Sequence, residues 1–255
     1  MLKRILLCLL VFSLAAGVVF ASGAKDKGAG GLSELVIATD ATWPPMEYVD
    51  EKTKEIVGFD IDLMEAVAKA SGFEVEFKNT AWDGIFAGLA ADKYDAIISS
   101  VTITEERQKE MDFSQPYMNA GQILVVQKST QGVTTLVDLK GKTVGAQIGT
   151  TGSFEIEKVP GVALKTYDEI GLAYEDLVNG RIQGVVADTP TAAAFALQNE
   201  SYKDKLKIVG EPFTEEYYGV VVRKGNTEVL NMVNAGLDKV LNTDTYRNLE
   251  KKWLR

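Results

Sequence analysis

Residues 95–107 read DAIISSVTITEER, and the change of character within this stretch decides the fold class. Asp95 to Ser99 is short and apolar at its centre, which reads as a buried strand. Two hydroxyl residues follow at Ser100 and Thr102. Thr104 then has the character of an N-cap, with Glu105 and Glu106 in the first turn of a helix. A strand passing through a polar loop into a helix is the repeating unit of an α/β protein with largely parallel sheets. The same unit recurs on both sides. Upstream, Leu35 to Thr39 (LVIAT) is a buried-type strand, and Trp43-Pro44-Pro45 forbids its continuation because proline lacks an amide donor and fixes φ. Tyr48 to Val57 reads as two short strands around a charged turn. Asp60 is expected to cap a helix with Leu63, Val67 and Ala70 inward, which Gly72 ends. Phe73 to Lys78 alternates like a strand, and a helix surrounds Ile85, Phe86 and Leu89.

Downstream the pattern begins again at Ile123 to Val126. Strands are expected over Thr143 to Ala146, Val162 to Tyr167 and Gln183 to Ala187, with helices near Phe154 to Lys158 and over Ile170 to Asn179. Thr189-Pro190 opens an alanine-rich helix, since proline suits a first helical position. After Tyr217 to Arg223 come two C-terminal helices, one carrying Leu230, Val233 and Leu237, the other Tyr246, Leu249 and Trp253. Each block holds enough elements for a small sheet of its own. Pro116 to Gly121 and Glu215 to Gly219 are the stretches that could link them. The expected organisation is a first lobe from 32–117 and 219–255, a second from 121–215, and hinges near 117–121 and 215–219.

The first residues carry Lys3 and Arg4, then an uncharged run from Ile5 to Phe20, then Val19-Phe20-Ala21 as a small-x-small site. This is the pattern of a secretory signal peptide cleaved near Ala21, and it predicts export to the periplasm. The run falls short of the ~20 residues a spanning helix needs. No lipobox precedes Cys8. Residues 22–31 (SGAKDKGAGG) read as a flexible leader. Without residues 1–21, which hold two positive charges and no negative ones, the net charge falls from −9 to −11. Such an acidic chain repels phosphate backbones, so nucleic acid is excluded as a partner. The chain has no histidine, and its one cysteine lies in the signal. A thiolate or imidazole metal site and a His-based triad are therefore excluded, and no cofactor is expected.

Several residues stand where chemistry could be done. Arg107 sits in a first helical turn, where free amides and the dipole already favour an anion. Its planar fork suits a bidentate carboxylate, although pairing with Glu105, Glu106 or Asp112 would also account for it. Gly149-Thr150-Thr151-Gly152-Ser153 is a strand-to-helix turn able to present amides to an anion, or a plain connection. Asp188 ends a strand at the usual ligand edge of an open α/β sheet, where it could hold an ammonium or cap the next helix. Trp43 and Trp82 could face a ligand or cover the core. Asp40 ends the first strand beside them.

Together these segments resemble the polar-amino-acid branch of bacterial solute-binding proteins that serve ABC importers. The carrying residues are VGFDIDL (57–63), SVTITEER (100–107), MDFSQPY (111–117), VGAQIGTTG (144–152), VADTP (186–190) and GVVVRK (219–224). The resemblance implies the two-lobed periplasmic binding protein fold, with two open sheets flanked by helices and joined by two crossing strands. It implies that Arg107 clamps a ligand α-carboxylate, helped by the Thr102 amide and hydroxyl and the Thr151 amide. Asp188 and the Ser100 carbonyl would take the α-ammonium. Trp43 and Trp82 would face the side chain, with Asp40 and Gln147 at its far end. The expected partners are a free L-amino acid and the permease of an ABC importer, with the protein a monomer. Two indoles and an acid suit arginine or lysine, ahead of glutamine or another polar amino acid. A lyase on the same fold would need a general acid of raised pKa in the cleft. Glu47 is the only extra carboxylate nearby, and its neighbours suggest a solvated edge. A sensory module is the third class, requiring a separate partner.

Overall fold

The computed structural model describes residues 34–254, so the expected signal peptide and leader lie outside the described residues. Two five-stranded sheets organise the rest. The first has the order Glu74–Asn79, Glu34–Thr39, Ala96–Ile97, Val221–Arg223, Met111–Phe113. The second has the order Ala163–Tyr167, Thr143–Gln147, Gly184–Asp188, Gln122–Gln127, Leu206–Val209. In each, the first three strands run parallel and the fourth runs antiparallel to both its neighbours. The antiparallel fourth strand departs from a purely parallel sheet. In the first sheet it is the strand Val221–Arg223, which arrives only after the chain has built the second sheet. Between the sheets the chain crosses twice, and the two crossings pair antiparallel as Met118–Asn119 with Tyr217–Tyr218. The fold is thus α/β and two-lobed.

Helix Phe59–Ser71 shows how local sequence and packing combine. Leu63 and Val67 face inward and are fully buried, each such side chain contributing ~1.5–3 kcal/mol on burial. Gly72 ends the helix in the left-handed region at φ 79°, where a side chain would be strained. The expected cap is corrected: Gly58 occupies the N-cap position, and Asp60 lies within the first turn with its carboxylate directed inward. Gly58 adopts φ 143°, and a Cβ there would overlap the Met46 carbonyl. That close approach lets the Asp60 amide donate to Met46 O at 2.9 Å. Helix Thr227–Val240 packs against the same helix through Val229, Val233 and Leu237, and the last helix, Asp244–Trp253, places Lys252 and the Trp253 indole on Asp62. Among the described residues no helix is long and apolar enough to cross a membrane.

Candidate functional site

The C-terminal ends of the parallel strands deliver the candidate residues to one cleft, as open α/β sheets do. Thr104 caps the short helix Glu105–Glu110, its hydroxyl accepting from the Arg107 amide at 3.2 Å. The Arg107 side chain turns back over this turn. Its Nη1 donates to Thr102 O at 2.9 Å and its Nη2 to Gly149 O at 3.2 Å. The guanidinium lies over the Trp82 ring at 5.4 Å and the Phe86 ring at 5.3 Å. Glu106 pairs instead with Lys109, and Asp112 with Lys224. Among the described residues Arg107 has no ion-pair partner, so its backbone contacts orient a charge they do not neutralise. Burial pulls its pKa down to about 10, against the opposing pull of the Asp188 and Glu216 charges.

Asp188 ends strand Gly184–Asp188 and stands at the N-cap position of helix Thr189–Ala193, yet its side chain makes no cap bond. The carboxylate accepts instead from Gln122 Nε2. Burial, followed by the Glu216 charge, raises its pKa to about 7. Thr151 opens helix Thr151–Glu157, capped by Thr150 through the Ser153 amide.

A second acidic group gathers away from Arg107. Asp40 is buried, accepting from Thr42 Oγ1 at 2.9 Å and from Gln147 Nε2 at 2.8 Å, and burial raises its pKa. Glu47 corrects the expectation of a solvated edge: it is fully buried and receives the hydroxyls of Ser99 at 3.1 Å and Ser100 at 3.3 Å. Desolvation, with the neighbouring Asp60 charge, holds its pKa well above the ordinary carboxylate range. Asp60, raised to about 6 chiefly by burial, accepts from the Ser100 amide at 2.7 Å and from Tyr117 Oη at 2.7 Å. These bonds hold Ser100 at φ 49°, an uncommon conformation for a residue with a side chain.

All nine residues singled out from the sequence line one cavity, together with Glu47, Ser99 and Thr150. The space left among them is about 20 Å³, room for about one water. Contacts across the cleft include Gln147 to Asp40, Arg107 to Gly149, and the Thr102–Thr151 hydroxyl contact at 3.5 Å. Sequence reasoning missed Gln122 and Glu216 altogether. Gln122 could have been found from the register, since it pairs directly with Asp188 across neighbouring strands.

The profile of the bacterial extracellular solute-binding proteins, family 3, matches residues 35–255. The L-cystine-binding protein TcyJ of Escherichia coli (strain K12) is 34% identical over 256 residues, covering 98% of this chain and 95% of its own. The putative ABC transporter arginine-binding protein 2 of the same strain is 36% identical, covering 96% and 98%. Among solved structures, an ancestral arginine-binding protein bound to arginine superposes with a TM-score of 0.82 at 43% identity, over 88% of this chain and 99% of that one. A further similar structure, at 37% identity and a TM-score of 0.79 over 88% and 96%, is an ancestral amino acid-binding protein described as a precursor of cyclohexadienyl dehydratase. With the profile spanning the described residues and relatives above 30% identity along nearly their whole length, this chain belongs to the bacterial extracellular solute-binding proteins, family 3.

Proposed function

We propose that the protein captures a free L-amino acid between its lobes and delivers it to the permease of an ABC importer, and that the amino acid is arginine or lysine. Glutamine or another polar amino acid is the second reading. One observation carries the proposal: the cavity sets an unpaired guanidinium and two separate groups of buried carboxylates around a single space. Asp188, with the Glu216 charge behind it, lies by Arg107, while Asp40 and Glu47, with Asp60 behind them, form the other group. A zwitterion placed with its carboxylate on Arg107 and its ammonium on Asp188 would satisfy the first group. Its side chain would then run past Trp43 and Trp82 toward Asp40, Gln147 and Glu47, where a cation relieves the repulsion between buried acids. Hydrogen bonds to charged groups are worth ~1.5–3 kcal/mol each. Because Arg107 and Asp188 come from different lobes, the ligand favours the closed state, and closure follows. In this reading the segments near 117–121 and 215–219 flex, lobe one comprises 32–117 and 219–255, and lobe two 121–215. The protein acts in the periplasm as a monomer.

Relatives differ in what their names say they bind, from L-cystine to arginine, so support for arginine or lysine comes from the charge arrangement. The enzyme alternative gains one feature from the structure, since Glu47 is a buried acid of raised pKa. Its two oxygens are nonetheless engaged by Ser99 and Ser100, and we read it as part of the ligand seat. A thermal-shift screen of the common amino acids tests the proposal. Ligand at ~100 times its dissociation constant stabilises the native state by about 2.7 kcal/mol. Arginine or lysine should give the largest shift, and Arg107→Ala and Asp188→Ala should give none. A larger shift with glutamate would reject the charge argument, and retained shifts in the variants would reject the clamp. Product formed from amino acids or prephenate-like acids would reject the binding role.

A further inference from the structure

Glu216 precedes the crossing strand Tyr217–Tyr218 by one residue, and its side chain is buried. One oxygen, Oε2, accepts from Thr102 Oγ1 at 3.0 Å, from Thr151 Oγ1 at 2.6 Å and from Gln122 Nε2 at 3.3 Å. These donors come from different lobes. Thr102 follows strand Ala96–Ile97 of the first sheet and bridges to Tyr218 of the crossing. Thr151 follows strand Thr143–Gln147 of the second sheet, and Gln122 opens another strand of that sheet. Each hydroxyl has one proton, and both can be directed to the same carboxylate oxygen. Glu216 itself is not among the residues lining the cavity. It grips two lining hydroxyls from the hinge side.

We propose that Glu216 is a positioning residue that latches the closed arrangement, so that ligand affinity depends on a side chain the ligand does not touch. This rests on the amino-acid-binding reading given above. Parting the lobes separates Thr151 and Gln122 from Thr102, so one side of the three-donor contact must be lost. Charge-assisted hydrogen bonds are about twice as strong as neutral ones, and apparent affinity scales with the population of the competent state. A latch therefore raises affinity by slowing release. The direct electrostatic effect of Glu216 has the opposite sign. Its negative charge lies near Arg107 and repels a ligand carboxylate, so removing it would tighten binding if there were no latch. The two accounts predict opposite outcomes.

The test uses the mature protein, L-arginine as the probe, and the variants Glu216→Ala and Glu216→Gln, with melting curves to establish that both fold. The latch predicts that Glu216→Ala weakens binding ~10-fold or more, with the change in the dissociation rate, in line with the usual division between rates. Glu216→Gln, whose amide oxygen still accepts, should lose less. Thr151→Val should weaken binding alone yet add little to Glu216→Ala, as coupled sites do. Unchanged or tighter binding in Glu216→Ala, or full additivity with Thr151→Val, overturns the latch. If the wild type does not bind L-arginine, the ligand reading fails separately, and small-angle scattering decides the latch. Glu216→Ala should then show the larger radius of gyration, and equal radii would reject the proposal.

Discussion

Lowering the pH from about 8.5 to about 5.5 should weaken amino-acid binding by protonating Asp188. The carboxylate faces Gln122, Glu216, Arg107 and Tyr218, and in the protein it titrates at about 7 because burial and the Glu216 charge outweigh Arg107. An ammonium binds only the ionised form, so the observed dissociation constant scales as one plus the ratio of protonated to ionised Asp188. That factor is ~30 at pH 5.5 and close to 1 at pH 8.5, a loss of about 2 kcal/mol. At about pH 7, half a proton should leave per ligand bound, measurable by calorimetry in buffers of different ionisation enthalpy. Stability without ligand should move the other way. A carboxyl whose folded pKa is raised holds its proton more tightly when folded, so its contribution is full below the unfolded pKa and is lost as pH rises through the folded one. Asp188 at about 7, Asp60 at about 6, and the raised Asp40 and Glu47 all act in this sense. The ligand-free protein should therefore melt lower at pH 8 than at pH 5.5, while the ligand-induced shift grows. An affinity that is flat or improves on acidification would refute the assignment of Asp188 to the ammonium.

Asp40→Asn should weaken arginine and lysine by ~10- to 100-fold, the scale of one hydrogen bond to a charged group, and should change glutamine binding less; equal losses in titrations with all three would remove Asp40 from the side-chain seat. Gly58→Ala should destabilise the fold by ~1–3 kcal/mol, because φ 143° and the Met46 carbonyl leave no place for a methyl group. Urea unfolding checks this, and a change under half a kcal/mol would contradict the close approach.

Much of this arrangement was legible because each element carries its own chemistry. The prolines after Trp43, the threonine cap before Arg107 and the strand-ending Asp188 are local signals, and a local signal survives folding. Asp60 was misread as a cap because Gly58, two residues earlier, takes the cap position by a conformation closed to other residues. Glu47 was misread for a different reason. It stands just ahead of the charged turn that begins at Asp50, but its environment is set by Ser99, 52 residues away, and by Asp60. Glu216 was illegible in the same way, since its contact with Gln122 joins positions 94 residues apart, whereas Gln122 needed only the register of its strand against Asp188.

That division has a physical basis which also bears on function. The residues proposed to meet the ligand ends lie at the ends of strands or in the first turn of the helix that follows, where an open α/β sheet presents them. Groups that set the ionisation and orientation of those residues meet through tertiary contacts between elements distant in sequence. Arg107 illustrates the consequence. Its orientation comes from the carbonyls of Thr102 and Gly149, so in the proposed reading the clamp is assembled by the same closure that the ligand drives. In the same reading selectivity would follow from the surrounding carboxylates. Asp40 and Asp188 line the cavity beside Arg107, and a ligand that brings two cations and one anion would leave fewer buried charges unpaired than a neutral or acidic amino acid could.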